Sequence, residues 1–146
     1  MEVTDGVNPI LEVHDLRLRR GDRPILSGTT FSLQRGGVVA LMGPSGSGKT
    51  TVLRAIAGLE RFEAGTIVLD GLMLSPGPRH ATDVLRKLRR QVGLVFQFHH
   101  LFEHLSALRN ITLAPMHVLG VPSSAAERRA RELLEALGIA HQGPDL

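Results

Sequence analysis

Residues Gly43-Pro44-Ser45-Gly46-Ser47-Gly48-Lys49-Thr50 spell G-x-x-x-x-G-K-[ST], and the fold turns on how that octapeptide is read. Glycine at 43, 46 and 48 lets the backbone curl so that successive N–H groups point inward at one anion. Lys49 can then reach the β- and γ-phosphates of a nucleoside triphosphate, and the Thr50 hydroxyl is placed to ligate Mg²⁺. A helix is expected to open at the loop and aim its positive dipole end at the same phosphates. The competing reading is a plain glycine-rich turn.

The flanks favour the phosphate-binding reading. Val38-Val39-Ala40-Leu41-Met42 is a continuous apolar run, which predicts a buried strand of a parallel sheet. After the loop, Val52, Leu53, Ile56, Ala57 and Leu59 recur at near-helical spacing, and Gly58 marks the end. Strand, glycine loop and helix form the context that the motif requires. A G-x-G-x-x-G dinucleotide fingerprint does not demand the Lys49-Thr50 pair, which sits where a triphosphate and its metal need it.

Composition excludes several classes. With 146 residues, 42% hydrophobic and 21% charged, the chain can build a globular core. No cysteine is present, so disulfides and thiolate metal sites are excluded, in keeping with a reducing compartment. No apolar stretch nears the roughly 18 residues that cross a bilayer, and Met1-Glu2-Val3-Thr4-Asp5 lacks a signal peptide's basic start. The net charge of +3 raises the question of nucleic acid. The densest basic cluster, Arg86-Lys87-Leu88-Arg89-Arg90, carries no aromatic stacking platform and reads as the solvated face of a helix with Val84, Leu85 and Leu88 inside. No nucleic-acid partner is expected.

Along the chain, Ile10 to Leu18 and Ile25 to Leu33 partly alternate around Gly21-Asp22, predicting an antiparallel pair. Thr66-Ile67-Val68-Leu69 followed by Asp70-Gly71 reads as another strand and turn. Thr82 is a candidate cap for a helix to about Gln91, and Val92-Gly93-Leu94-Val95-Phe96 reads as a second buried strand. Ser106 is the candidate cap of a helix towards Leu119. Ser124-Ala125-Ala126-Glu127 reads as a capping box opening a helix with Ala130, Leu133, Leu134 and Leu137 on one face and Gly138 at its end.

From Leu11 to Ile139 the chain resembles the N-terminal half of the nucleotide-binding subunit of ATP-binding-cassette (ABC) transporters. The resemblance is carried by Val38 to Gly58, by Gly65 to Gly71, and by Val92-Gly93-Leu94-Val95-Phe96-Gln97. Leu101-Phe102-Glu103-His104-Leu105-Ser106 and Asn110-Ile111-Thr112-Leu113-Ala114-Pro115 are most similar to importers of polar amino acids. The resemblance implies an α/β P-loop NTPase fold of ABC type, present as its N-terminal part and incomplete. Antiparallel strands would join parallel core strands and helices. Residues 1–146 would be a partial nucleotide-binding domain, with 1–95 the ATP-binding core and 96–146 the Q-loop and the start of a helical subdomain.

Site roles follow from the same resemblance. Gly43, Pro44, Ser45, Gly46, Ser47, Gly48, Lys49, Thr50 and Thr51 would bind ATP, with Thr51 adding a hydroxyl contact to the α-phosphate. Gln97 would be the Q-loop glutamine, ligating Mg²⁺ through its oxygen and orienting the attacking water through its nitrogen. Thr50 and Gln97 are thus the metal candidates, and Lys49 and Gln97 the catalytic ones. The family usually stacks adenine on an aromatic residue where this chain has Arg20. That guanidinium either stacks on the base or is a solvent-facing strand end. His99 and His100 stand where Phe and Asn are common, and with His104 they read as surface polar residues rather than metal ligands.

The signature sequence, acidic Walker B strand, catalytic glutamate and switch histidine of the family would lie beyond Leu146. The resemblance therefore implies a parent protein that couples ATP hydrolysis to import of polar amino acids. It would act as a homodimer, peripheral to the cytoplasmic face of the inner membrane, with a permease docked through the Q-loop region from Gln97 to Pro115. These 146 residues alone would bind ATP and Mg²⁺ without turnover. The alternatives are a non-transport ABC ATPase, a P-loop kinase and a nucleotide-binding fragment without catalytic activity.

Overall fold

The computed structural model describes residues 8–77, 81–98 and 101–142, in two compact units that divide between Leu94 and Val95. The first unit is built on strands β1 (Leu11–Arg20), β2 (Arg23–Leu33), β3 (Ala64–Leu69) and β4 (Leu72–Leu74). They form one sheet in the order β2-β1-β3-β4 with every neighbour antiparallel. Helices α1 (Lys49–Ile56) and α2 (Thr82–Gln91) belong to the same unit.

Central β1 is flanked on both sides, and its Leu11, Val13, Leu16 and Leu18 are all buried. The step from Val13 to Leu16 breaks strict alternation. It marks a β-bulge at His14-Asp15, where three β1 residues oppose two on each neighbour. Asp15 takes φ 45°, its amide donates to Thr30 Oγ1 at 2.9 Å, and its carboxylate accepts from Arg17 Nε at 3.0 and 3.1 Å. That contact holds the Asp15 carboxyl below the usual aspartate range. Gly65 on β3 crosses the bulge at φ 97°, where a Cβ would run into the carbonyl oxygens of His14 and Asp15.

The turns follow the local chemistry. Arg20 pairs with Arg23 around Gly21-Asp22, and Leu69 with Leu72 around Asp70-Gly71, where both turn residues have positive φ as a tight primed hairpin demands. Asp70 also accepts from Arg35 Nη2 at 2.6 Å. Under the sheet, Val52, Ala55 and Ile56 of α1 join Leu26, Phe62, Ile67, Leu74 and Leu88 in one core. Truncating a fully buried member such as Leu16 to Ala is expected to cost about 2–5 kcal/mol.

Two expected strands are not formed. Neither Val38–Met42 nor Val92–Phe96 is part of a strand, and Val38 (95% exposed) and Met42 (91%) stand in solvent. A parallel core strand exists only through hydrogen-bonded neighbours. Among the described residues no strand pairs with either segment, although Leu41 and Val92 pack against the core. Thr82 is also not a cap: Ala81 holds that position, and Thr82 is the first helical residue.

In the second unit, α3 (Ala107–Leu119) and α4 (Ser123–Ala136) pack together and a 3₁₀ turn follows at Ala140–Gln142. Ser106 caps α3 as expected, its Oγ accepting from the Arg109 amide at 3.3 Å, and Gly120 ends it in the left-handed region. The capping box at Ser124 does not form. Helix α4 begins two residues earlier, with Pro122 in the N-cap position, and Ser123 Oγ donates to Glu127 Oε1 at 3.1 Å. Its buried stripe is Ala126, Ala130 and Leu134, while Leu133 and Leu137 are exposed.

Candidate nucleotide-binding site

The glycine loop leads directly into α1, with Gly48 as the helix N-cap at φ 91°. A Cβ on Gly48 would lie 2.9 Å from the Ile25 carbonyl oxygen and 2.8 Å from Leu26 Cδ2. Glycine is needed there because the loop presses onto β2. No side chain caps α1 and its first turn holds no acid, so its leading N–H groups are left for an incoming anion. The Ser47 amide donates to Pro44 O at 3.3 Å, and the Val52 amide to Gly48 O at 2.9 Å, which closes the first helical turn.

Lys49 spans the loop. Its Nζ donates to Gly43 O at 2.9 Å, Pro44 O at 2.7 Å and Ser47 Oγ at 3.4 Å. All three acceptors are neutral oxygens, and phosphate oxygens would replace them with charge-assisted bonds of about twice the strength. Thr50 is exposed at the second residue of α1 and offers the single neutral oxygen that suits Mg²⁺ bound with a nucleotide. No cluster of carboxylates or histidines able to hold an ion by itself exists among the described residues. Thr51, in contrast, is buried (9% exposed) on the core-facing side of α1.

Arg20 is engaged by protein. Its Nη2 lies 3.1 Å from Glu60 Oε2, and Arg54 of α1 approaches the same oxygen at 3.5 Å. Glu60, whose side chain is only 23% exposed, is a residue that the sequence reading missed. A lone Glu after a helix carries no signal of its two arginine partners. A groove of about 550 Å³ lies beside it, lined by Leu18, Arg19, Arg61 and Phe62 among others, and no residue of the phosphate loop lines it.

Gln97 belongs to the second unit, exposed in a bend after Phe96. Phe98 (71% exposed), Leu101 and Phe102 (50%) follow it at the surface, and Leu105 is half-buried. Phe102 meets His104 edge to face at 5.9 Å. His99 and His100 lie outside the described residues. Asn110 organises this stretch: its Oδ1 accepts from the Phe102 amide at 2.9 Å, and its Nδ2 donates to the carbonyls of Phe102, Leu105 and Ser106. A groove of about 400 Å³ lies between α3 and α4 over Leu108, Thr112 and Met116.

A family model described as "ABC transporter" matches residues 26–145. The arginine/ornithine transport ATP-binding protein AotP of Pseudomonas aeruginosa is 41% identical over 139 residues, covering 90% of this chain and 55% of that protein. The lipoprotein-releasing system ATP-binding protein LolD of Maricaulis maris is 44% identical over 122 residues, covering 84% of this chain and 52% of that protein. Among solved structures, the dimeric post-hydrolysis ATP-binding cassette MJ0796 with ADP and Pi superposes with a TM-score of 0.78 at 26% identity. It covers 92% of this chain and 60% of its own. The chain spans about half the length of the curated relatives it matches.

Proposed function

The chain belongs to the ABC transporter family, and from that membership we propose that residues 1–95 are the core that binds ATP with Mg²⁺, and 96–146 the Q-loop and the start of a helical subdomain. The observation that carries the reading is Lys49, held across a glycine loop at the uncapped head of α1. Gly43 to Gly48 would wrap the phosphates, Lys49 would neutralise the β- and γ-oxygens, and Thr50 would meet the Mg²⁺. The Thr51 hydroxyl, expected at the α-phosphate, is buried on the core side of α1, which leaves its first-turn backbone N–H for that role. Phosphoryl transfer is mostly positioning and charge neutralisation, and these groups supply that part of it. Gln97 is assigned as the glutamine that senses the γ-phosphate and orients water, on resemblance alone. The 146-residue chain is proposed to bind without turnover, because the loop's polar partners are carbonyls, a hydroxyl and an ammonium, with no general base among them.

In the complete protein the proposed activity is ATP hydrolysis coupled to import of polar amino acids. It would run as a homodimer, peripheral to the cytoplasmic face of the membrane. The name of the Pseudomonas relative and the stretch Leu101 to Pro115 support the substrate class, and the dimeric cassette supports the assembly. No helix among the described residues is long and apolar enough to cross a membrane. The Maricaulis relative supports a second reading, in which the exported cargo is lipoprotein. Permease genes beside this one would decide between them.

An ammonium about 4 Å from one phosphate charge is worth roughly 4 kcal/mol at an effective dielectric near 20, before desolvation. Lys49→Ala is therefore expected to weaken Mg-ATP binding tenfold or more in equilibrium dialysis, with an unchanged melting temperature. Equal affinities would end the assignment. The permease is proposed to dock on the Q-loop region, with Phe98, Leu101 and Phe102 at its centre, and their exposure supports that reading. In the complete protein, Phe102→Asp should abolish co-purification with the permease and spare ATP affinity and melting temperature. Retained co-purification would place the docking surface elsewhere.

A further inference from the structure

Helix α2 carries the densest positive charge of the chain. It sets Arg86, Lys87, Arg89 and Arg90 against the single acid Asp83, a balance of +3 that equals the net charge of all 146 residues. The rest of the chain is therefore neutral. Helix α4 shows an ordinary charged surface for comparison. Its three arginines meet three glutamates, with Arg129–Glu132 and Arg131–Glu127 paired at 3.0 and 3.2 Å. On α2 Arg86 pairs with the well-exposed Asp83 at 3.1 Å. The side chains of Lys87, Arg89 and Arg90 make no hydrogen bond or ion pair among the described residues.

Packing aims these cations outward together. Leu88 is fully buried, and Val84 and Leu85 pack against the same core. Gly58 lets the end of α1 come so close that a Cβ there would lie 2.7 Å from Leu88 Cδ2 and 2.8 Å from Leu85 Cδ2. At about 100° per residue the four cations cover an arc of about 160° centred opposite Leu88, and all four are exposed. The helix dipole favours cations in the last turn, which accounts for Arg89 and Arg90 but not for Arg86 and Lys87. Arg86 also stands at i,i+3 to Arg89 and i,i+4 to Arg90, spacings at which like charges repel. An anionic partner turns that repulsion into attraction.

We propose that this face of α2 adsorbs on the anionic headgroups of a phospholipid bilayer. The inference rests on the reading that the protein works beside a permease, and it adds a direct lipid contact. The contact is electrostatic and does not insert, because the apolar side of α2 is already committed to the core. Near an anionic leaflet each cation is worth about fivefold in affinity. Single-stranded nucleic acid is a poorer match, since α2 carries no aromatic residue for a base to stack on. The helix closes at Gln91, six residues before Gln97, where the proposed permease-docking region begins.

Co-sedimentation of the chain with vesicles tests the proposal, comparing phosphatidylcholine alone with phosphatidylcholine containing about one third phosphatidylglycerol. Binding to the anionic vesicles is expected to be at least about tenfold tighter, and to be stripped at about 1 M salt, where the Debye length falls to about 3 Å. The joint variant Arg86→Gln, Lys87→Gln, Arg89→Gln and Arg90→Gln should fall to the phosphatidylcholine level with its melting temperature unchanged. Arg128→Gln with Arg129→Gln and Arg131→Gln on α4 should bind as the parent chain does. If the α2 variant does not fold, Lys87→Gln and Arg89→Gln taken singly decide, each expected to cost about fivefold. Equal binding to the two vesicles would overturn the inference, because the exposed apolar segments would then be holding the chain. Equal losses in the α2 and α4 variants would also overturn it, reducing the effect to net charge. Duplex DNA bound more tightly than the anionic vesicles, through the same four cations, would give the face to nucleic acid instead. No vesicle binding at all would end the lipid contact and leave the permease reading standing, which co-purification tests separately.

Discussion

Gly46 and Gly48 both carry positive φ, at 78° and 91°, but for different reasons. Nothing lies within 4 Å of where a Gly46 Cβ would sit, so alanine there costs only left-handed strain, about 1–2 kcal/mol. At Gly48 the same methyl meets the Ile25 carbonyl at 2.9 Å, and a backbone oxygen inside a strand cannot rotate away. Gly48→Ala should therefore be destabilising by more than the strain alone, about 2–4 kcal/mol, and should weaken Mg-ATP binding at least tenfold. Gly46→Ala should fall near the lower figure. Urea unfolding and dialysis on the two variants give the comparison. Equal losses would show that strain, and not the close approach to β2, is what glycine relieves at 48. The octapeptide was readable in the sequence because its residue types state backbone chemistry directly. Which glycine is pressed against a neighbour was not, because Ile25 lies 23 residues upstream.

Elements made by local rules were legible. The β1–β2 and β3–β4 hairpins follow from alternation around Gly21-Asp22 and Asp70-Gly71, and α3 begins where Ser106 says it should. The bulge at His14-Asp15 was hidden, since it depends on Thr30 and Gly65 from two other strands. Asn110 was equally hidden, as an ordinary polar residue in the first turns of a helix. Its four hydrogen bonds tie the exposed Phe102 turn to α3. Asn110→Ala strips partners from the Phe102 amide and three carbonyls, a loss of about 1–3 kcal/mol since water re-solvates the exposed ones. Asn110→Asp keeps the acceptor for the Phe102 amide but sets an anionic oxygen against the carbonyls of Phe102, Leu105 and Ser106, so its loss should be at least as large. Hydrogen exchange at the Phe102 amide should quicken in both variants. Unchanged exchange in both would mean that the turn is held by its own backbone, through the Leu105 amide to Phe102 O bond at 2.9 Å.

At the scale of the whole molecule, the segments read as core strands decide how the chain behaves in solution. Val38-Val39-Ala40-Leu41-Met42 was expected to be buried because five apolar residues in a row suit a strand covered on both faces. Covering requires neighbours, and none of the four strands pairs with it. The result is an apolar segment with Val38 and Met42 nearly fully exposed, and Val95 in the second unit is 91% exposed as well. Exposed apolar segments that carry free backbone groups template association. The 146-residue chain is therefore expected to bind a hydrophobic dye such as ANS and to self-associate in sedimentation experiments as its concentration rises. The double variant Val38→Thr and Met42→Thr should reduce both signals. It should leave the melting temperature of the dilute protein within a few degrees, since neither side chain contributes to the core. A large fall in that temperature would show that the segment is packed in solution. Persistent association with the temperature unchanged would move the sticky surface to Phe98, Leu101 and Phe102, the face proposed here for the permease.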